Sequence, residues 1–130
     1  MNKEFQFLIY NVPTEDVTVN AIIKDETIWL TQKAMAELFG CTSDNVSLHL
    51  KNIYSEQELK ETSTTEEFSV VQQEGIRQIQ RKKRFYNLDA IISVGYRVNS
   101  RRATQFRIWA TNVLKEYMTK GFALDDERLK

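Results

Sequence analysis

The sequence predicts an α+β fold, and three patterns predict it. Apolar residues alternate over the first thirty positions, two helix starts flank one glycine within 31–53, and a second alternating pair of runs precedes a long 3.6-residue stripe. The expected order is a small N-terminal antiparallel sheet (1–30), a helical pair with a tight turn (31–60), a β-hairpin (66–86) and two C-terminal helices (87–121). All of this fits a single domain, 1–130, large enough to bury a core without disulfide or metal staples.

In "EFQFLIYNV", Phe5, Phe7 and Ile9 alternate with Gln6, Leu8 and Tyr10, and in "VTVNAII" Val17, Val19, Ala21 and Ile23 alternate with their neighbours. Pro13, Thr14, Glu15 and Asp16 have a turn composition between these strands. "KDET" (24–27) reads as a hairpin turn into the short strand Ile28-Trp29-Leu30. Thr31 is a good N-cap, Met35, Leu38 and Phe39 share one face, and Gly40 suits a left-handed C-terminal cap. Ser43 is expected to cap a second helix carrying Val46, Leu50 and Ile53. "YSEQELKE" reads as a short helix or loop, and "TSTTEE" as a polar connector. "FSVVQQ" and "RQIQRKKRFY" form a hairpin around Glu74-Gly75, with few large apolar groups expected at its tip. Asn87 starts the next helix. Ser100 caps the last, where Ala103, Phe106, Ala110, Val113, Leu114 and Tyr117 keep one stripe until Gly121 closes it.

Composition excludes several classes. No run approaches the ~20 apolar residues of a membrane span, and the start lacks the pattern of a secretory leader. The single cysteine, Cys41, permits no internal disulfide and fits a cytoplasmic location; beside Gly40 it reads as a core filler. One histidine and one cysteine cannot build a structural zinc site. Gly40, Gly75, Gly95 and Gly121 stand apart, so there is no phosphate-binding glycine loop, and His49 has no catalytic partners in sequence. No catalytic residue, metal, cofactor or small-molecule substrate is expected, and the chain reads as a non-enzyme. Trp29 and Trp109 read as core.

The net charge of zero hides an asymmetry. Residues 1–70 carry 5 basic and 12 acidic side chains, whereas 71–110 carry 9 basic and 2 acidic ones. Either the middle segment meets an anionic partner or the two halves pair. The helical pair bears on this choice. A DNA-reading helix-turn-helix needs a small residue in its first helix, a turn residue tolerating positive φ, and an apolar lock in the second. Gln32, Ala36, Gly40, Val46 and Ser47 supply the pattern Q-x3-A-x3-G-x5-V-S. The second helix would then present Ser43, Asp44, Asn45, Ser47, Leu48 and Lys51 to double-stranded DNA, with Asn suited to adenine and Leu48 to a thymine methyl. One lysine is little for phosphate neutralisation. Thr31 and Gln32, together with Arg81, Lys82, Lys83 and Arg84 on a wing-like hairpin, are expected to position the backbone. A second basic group, Arg97, Arg101, Arg102 and Arg107, lies where a helix N-terminus disfavours cations, so it needs either phosphate or the acidic N-terminal segment. The alternative to DNA binding is a protein-interaction module, for example a homodimerising one, in which the helical pair is purely structural.

Three stretches, "IWLTQKAMAELFGCTSDNVSLHLKNIY", "RKKRFYNLDAIISVGYRVNS" and "RRATQFRIWATNVLKEYMTKGFALDDERL", resemble the N-terminal part of the RhuM virulence-protein family of bacteria. That resemblance implies association with pathogenicity islands and mobile elements. Because family members are typically longer, it also implies that the chain is the N-terminal part of a larger protein. The "LDAI" helix followed by "ATQFRIWA" is similar to Bro-N and KilA-N type phage and viral domains, which implies DNA binding and a role in transcription regulation.

Overall fold

The structure, a computed structural model, describes residues 5–12 and 15–128, with side chains from 18 to 121. Strands β1 (Phe5–Val12), β2 (Glu15–Lys24) and β3 (Thr27–Trp29) form an antiparallel sheet in that order. Pro13 and Thr14, and the side chains of β1, lie outside the described residues. The β2–β3 turn places both Asp25 (φ 56°) and Glu26 (φ 59°) in the left-handed region, as a two-residue type I′ hairpin turn requires. Helices α1 (Gln32–Phe39) and α2 (Ser43–Ser55) follow, then the single helical turn α3 (Glu61–Thr64). A second antiparallel pair, β4 (Thr65–Glu74) and β5 (Arg77–Tyr86), leads into α4 (Leu88–Arg97) and the long α5 (Arg101–Arg128). The α+β architecture is the expected one. Among the described residues no helix is long and apolar enough to cross a membrane.

Among the described side chains, two cores hold these elements. The larger one joins Val19, Ala21 and Leu30 with Met35, Leu38 and Phe39 of α1 and with Val46, Leu50 and Ile53 of α2; Ile91 and Val94 of α4 and Phe106 of α5 complete it. The smaller one packs Ile22 and Trp29 against Phe68, Val70 and Phe85, with Trp29 edge-on to Phe68 at 5.4 Å between centroids. The indole N–H of Trp29 donates to the Lys24 carbonyl at 3.1 Å, so the buried ring leaves no orphaned donor.

Four local expectations need correction. Thr42, not Ser43, caps α2: its backbone is extended and its hydroxyl oxygen accepts from the Asn45 N–H at 3.1 Å, while Ser43 is already helical. "TSTTEE" is no connector. Residues 61–64 close a helical turn, with the Thr64 and Thr65 hydroxyls each donating back to a carbonyl four residues earlier at 2.8 Å, and β4 starts at Thr65. Gly121 does not end α5, which runs on to Arg128 because no cap or proline follows the glycine. The α5 stripe is buried only at Ala103 and Phe106. Val113, Leu114 and Tyr117 are exposed, because the helix outruns the core.

Candidate functional site

The site is built around the first residue pair of α1. Leu30 and Tyr86 exchange two backbone hydrogen bonds, at 2.9 and 2.8 Å, so the end of β3 is stitched to the end of β5. Thr31 therefore emerges beside the base of the hairpin. Its hydroxyl oxygen accepts from the Ala34 N–H at 3.1 Å and caps α1. The Gln32 side-chain amide donates to the Tyr86 hydroxyl at 3.0 Å. The sequence reading offers that amide to a phosphate; the fold uses it to join helix and hairpin. Between them lies an open groove of about 430 Å³ lined by Thr31, Gln32, Lys33, Lys83, Arg84 and Tyr86. Residues more than fifty positions apart thus converge on one concave, cation-rich surface.

The turn between α1 and α2 is tight and held from behind. Gly40 is left-handed at φ 63°, and the Cys41 N–H closes onto the Ala36 carbonyl at 3.0 Å. Cys41 packs against the larger core, and burial pushes its thiol above the ordinary value, away from the reactive thiolate. The last turn of α1 would expose carbonyls, and α5 satisfies two of them: the Ser100 hydroxyl donates to Phe39, and Arg102 Nη1 donates to Glu37 at 2.6 Å. Ser100 also accepts from the Ala103 N–H at 3.0 Å, so one hydroxyl both caps α5 and clamps α1.

Val46, Leu50 and Ile53 turn one face of α2 into the core. The opposite face leaves Ser43, Asp44, Ser47, Leu48 and Lys51 exposed, and Asn45 and His49 sit half-buried at its flank. The far end of α2 is fastened too. The Gln57 N–H donates to Tyr54 and the Glu58 N–H to Ile53, a Schellman closure with Gln57 at φ 63°. Arg97 grips this closure through Glu56 at 3.0 Å and Glu58 at 2.9 Å. Hydrogen bonds from Ser93 and Arg97 hold the Glu58 carboxyl below its usual range. Partial burial, with Arg97 nearby, lowers His49.

The hairpin register pairs Glu67 with Arg84, Phe68 with Lys83, Ser69 with Lys82 and Val70 with Arg81. Strand periodicity therefore splits the basic run: Lys82 and Arg84 belong to one face, Arg81 and Lys83 to the other. Arg81 is paired with Glu74 at 2.7 Å, and Arg84 with Glu61. The second basic group is dispersed as well. Arg97 holds Glu56 and Glu58, Arg102 the end of α1, and Arg107 donates to the carbonyls of Gly95 and Val98, both at 2.9 Å, at the end of α4. Helix C-terminal carbonyls thus answer two of the arginines, a third kind of partner beside the phosphate and acidic segment considered from sequence. Arg101 remains exposed at the start of α5, away from the groove lining.

Sequence reasoning missed three residues here. Lys33 and Tyr86 join the groove only through the Leu30–Tyr86 stitch, which no local pattern announces. Ile76 stands fully exposed at the hairpin tip, where few apolar groups were expected; its position after Gly75 in a two-residue turn was the available signal. Among the described residues, no three His, Cys, Asp or Glu side chains gather as a metal site.

The family model described as "Virulence protein RhuM family" matches residues 63–130, just over half of the chain, covering the hairpin, α4 and α5. No curated protein and no solved structure matches this chain.

Proposed function

We propose that this chain, which belongs to the RhuM virulence-protein family, carries a double-stranded-DNA-binding module in which α1 and α2 act as a helix-turn-helix and β4–β5 as its wing. The observation that carries this reading is the groove uniting the start of α1 with Lys33, Lys83 and Arg84. It links the helical corner to the basic strand at the point where a wing would meet a phosphate backbone beside an occupied major groove. In this reading Ser43, Asn45, Ser47 and Leu48 face base edges, Lys51 and the groove cations neutralise phosphates, and Arg84 exchanges Glu61 for a phosphate oxygen. The rigid backing of the corner by Ser100 and Arg102 suits a reading head whose orientation must be fixed. A regulatory, mobile-element-associated role for a cytoplasmic protein follows from this reading, and binding rather than catalysis is the activity assigned.

Selection from a randomised duplex pool, with sequencing of the bound fraction, tests it. An enriched motif is expected; a bound fraction indistinguishable from the input pool overturns sequence-dependent reading. The second reading, an interaction or homodimerisation module, is favoured by one observation. An apolar groove of about 400 Å³ between β3, α4 and α5 is lined by Ile92, Leu114 and Tyr117, among others, and these three side chains are exposed. Binding through that face would be insensitive to salt, whereas phosphate contacts are steeply salt-dependent.

A further inference from the structure

We propose that the tip of the β4–β5 hairpin is a minor-groove wedge that kinks DNA, with Ile76 as the inserted side chain. This rests on the DNA-binding reading and adds to it a deformation of the partner that the helical corner does not require.

The tip is unusual in three ways. Ile76 is 100% exposed, and a Cβ built on the adjacent Gly75 would touch nothing within 4 Å, so the turn projects into open space. Gly75 takes φ 62° and Ile76 does not share that region, the pattern of a type II′ turn, which places no demand for an apolar residue at the second position. Polar residues satisfy such a turn at no cost in water, so folding does not account for the isoleucine. The flanks carry the second feature: Gln72, Gln73, Gln78 and Gln80 surround the tip, and Arg77 directly follows Ile76. Minor-groove proteins read that groove with Arg, Lys, Asn and Gln and insert Ile, Leu, Phe, Met or Pro between base steps. The third is reach. From Arg84 at the groove to Arg77 at the tip, β5 extends roughly 23 Å at ~3.3 Å per residue. Neighbouring major and minor grooves are about 17 Å apart, half of a ~34 Å turn. The wing is therefore long enough to leave the backbone at Arg84 and enter the next minor groove. Among the described residues the distal hairpin adds nothing to either core beyond Val70, and an isolated two-stranded ribbon is marginal in water. A groove wall on each side would supply what the fold does not.

The test is end-to-end energy transfer in a dye-labelled duplex of about 30 base pairs carrying the selected motif, measured with the full chain. Wild-type protein is expected to bend it by more than 20°, within the range that wedge insertion produces. Ile76→Ser, at a site with no intramolecular contact to lose, is expected to abolish the bend and to weaken binding to the intact duplex about tenfold, consistent with the loss of an insertion that repays unstacking. The salt dependence should not change. Ile76→Phe should keep the bend. A wild-type complex that binds but leaves the duplex straight, or an Ile76→Ser complex that bends it equally, overturns the wedge and leaves the helix-turn-helix reading standing. Absence of wild-type binding to any duplex overturns both.

Discussion

Replacing Gly95 by alanine is the sharpest probe of how the corner is supported. Gly95 lies in α4, where alanine would normally gain about 1 kcal/mol over glycine in helix propensity. Here a Cβ would stand 2.7 Å from Phe106 Cε2, 2.8 Å from Phe106 Cδ2 and 2.9 Å from Phe39 Cζ. Ordinary contact begins near 3.5 Å, so both rings must retreat by roughly 0.7 Å. Phe39 and Phe106 are buried and packed edge-to-face at 5.1 Å, so displacing either ring disturbs the other. Overpacking of this kind costs about 1–3 kcal/mol, occasionally more. Set against the propensity gain, the net expectation is a destabilisation of up to about 2 kcal/mol, or up to about 8 °C in Tm for a chain of this size. Gly121→Ala is the matched control: it is also helical, nothing lies within 4 Å of its Cβ, and about 0.5–1 kcal/mol of stabilisation is expected. Urea denaturation followed by circular dichroism measures both. If Gly95→Ala raises the midpoint as Gly121→Ala does, the close α4–α5 approach described above is wrong.

Further outcomes follow from other contacts. Ser100→Ala removes the cap of α5 and the clamp on the Phe39 carbonyl together, and a loss of about 1–2 kcal/mol in urea denaturation is expected; a neutral variant would show the clamp is not made. Gln57→Gly relieves a left-handed residue in the α2 closure and should stabilise by about 1 kcal/mol in the same assay. His49 and Glu58 both take up protons less readily in the folded chain than unfolded, so each adds stability at neutral pH that is lost on acidification. The loss through His49 starts as pH falls past about 6.5, and that through Glu58 below about 4.5. His49→Gln should flatten the fall in Tm between pH 7 and 5 and leave the lower limb in place. An unchanged upper limb would remove His49 from the account. Asn45→Ala should relax preference at one base pair by about 1–3 kcal/mol, read by repeating the selection, and an unchanged motif would mean that Asn45 does not read a base.

What was legible in the sequence was local. Thr31 and Gly40 bracket α1 because capping chemistry acts over three or four residues, and the alternation of "FSVVQQ" and "RQIQRKKRFY" sufficed for the hairpin. Gln57 went unseen because it occupies a position usually marked by glycine. The one-residue error at Ser43 arose because Thr42 and Ser43 are both good caps, and the backbone alone decides between them. Four of the six groove residues were anticipated as residue types, in Thr31, Gln32, Lys83 and Arg84, but their meeting depends on the Leu30–Tyr86 stitch, a contact 56 residues apart in sequence. Arg97 does pair with acids of the N-terminal half, Glu56 and Glu58, but the carbonyl partners of two other arginines were out of reach for the same reason. Arg102 and Arg107 act on carbonyls of other helices, and no spacing within α5 reveals that.

The central claim is that the groove and the outer face of α2 neutralise DNA phosphates, and its most direct measurement is the salt dependence of duplex binding by fluorescence anisotropy. Four cations, namely Lys33, Lys83 and Arg84 of the groove and Lys51 of α2, give a slope of about −3.6 in log K against log salt, so affinity should fall about 10²-fold between 50 and 200 mM. Lys33→Ala with Lys83→Ala should reduce that slope by about 2. Binding that holds its strength across that salt range, or a slope unmoved by the double variant, would contradict the claim and turn attention to the apolar face of α4 and α5.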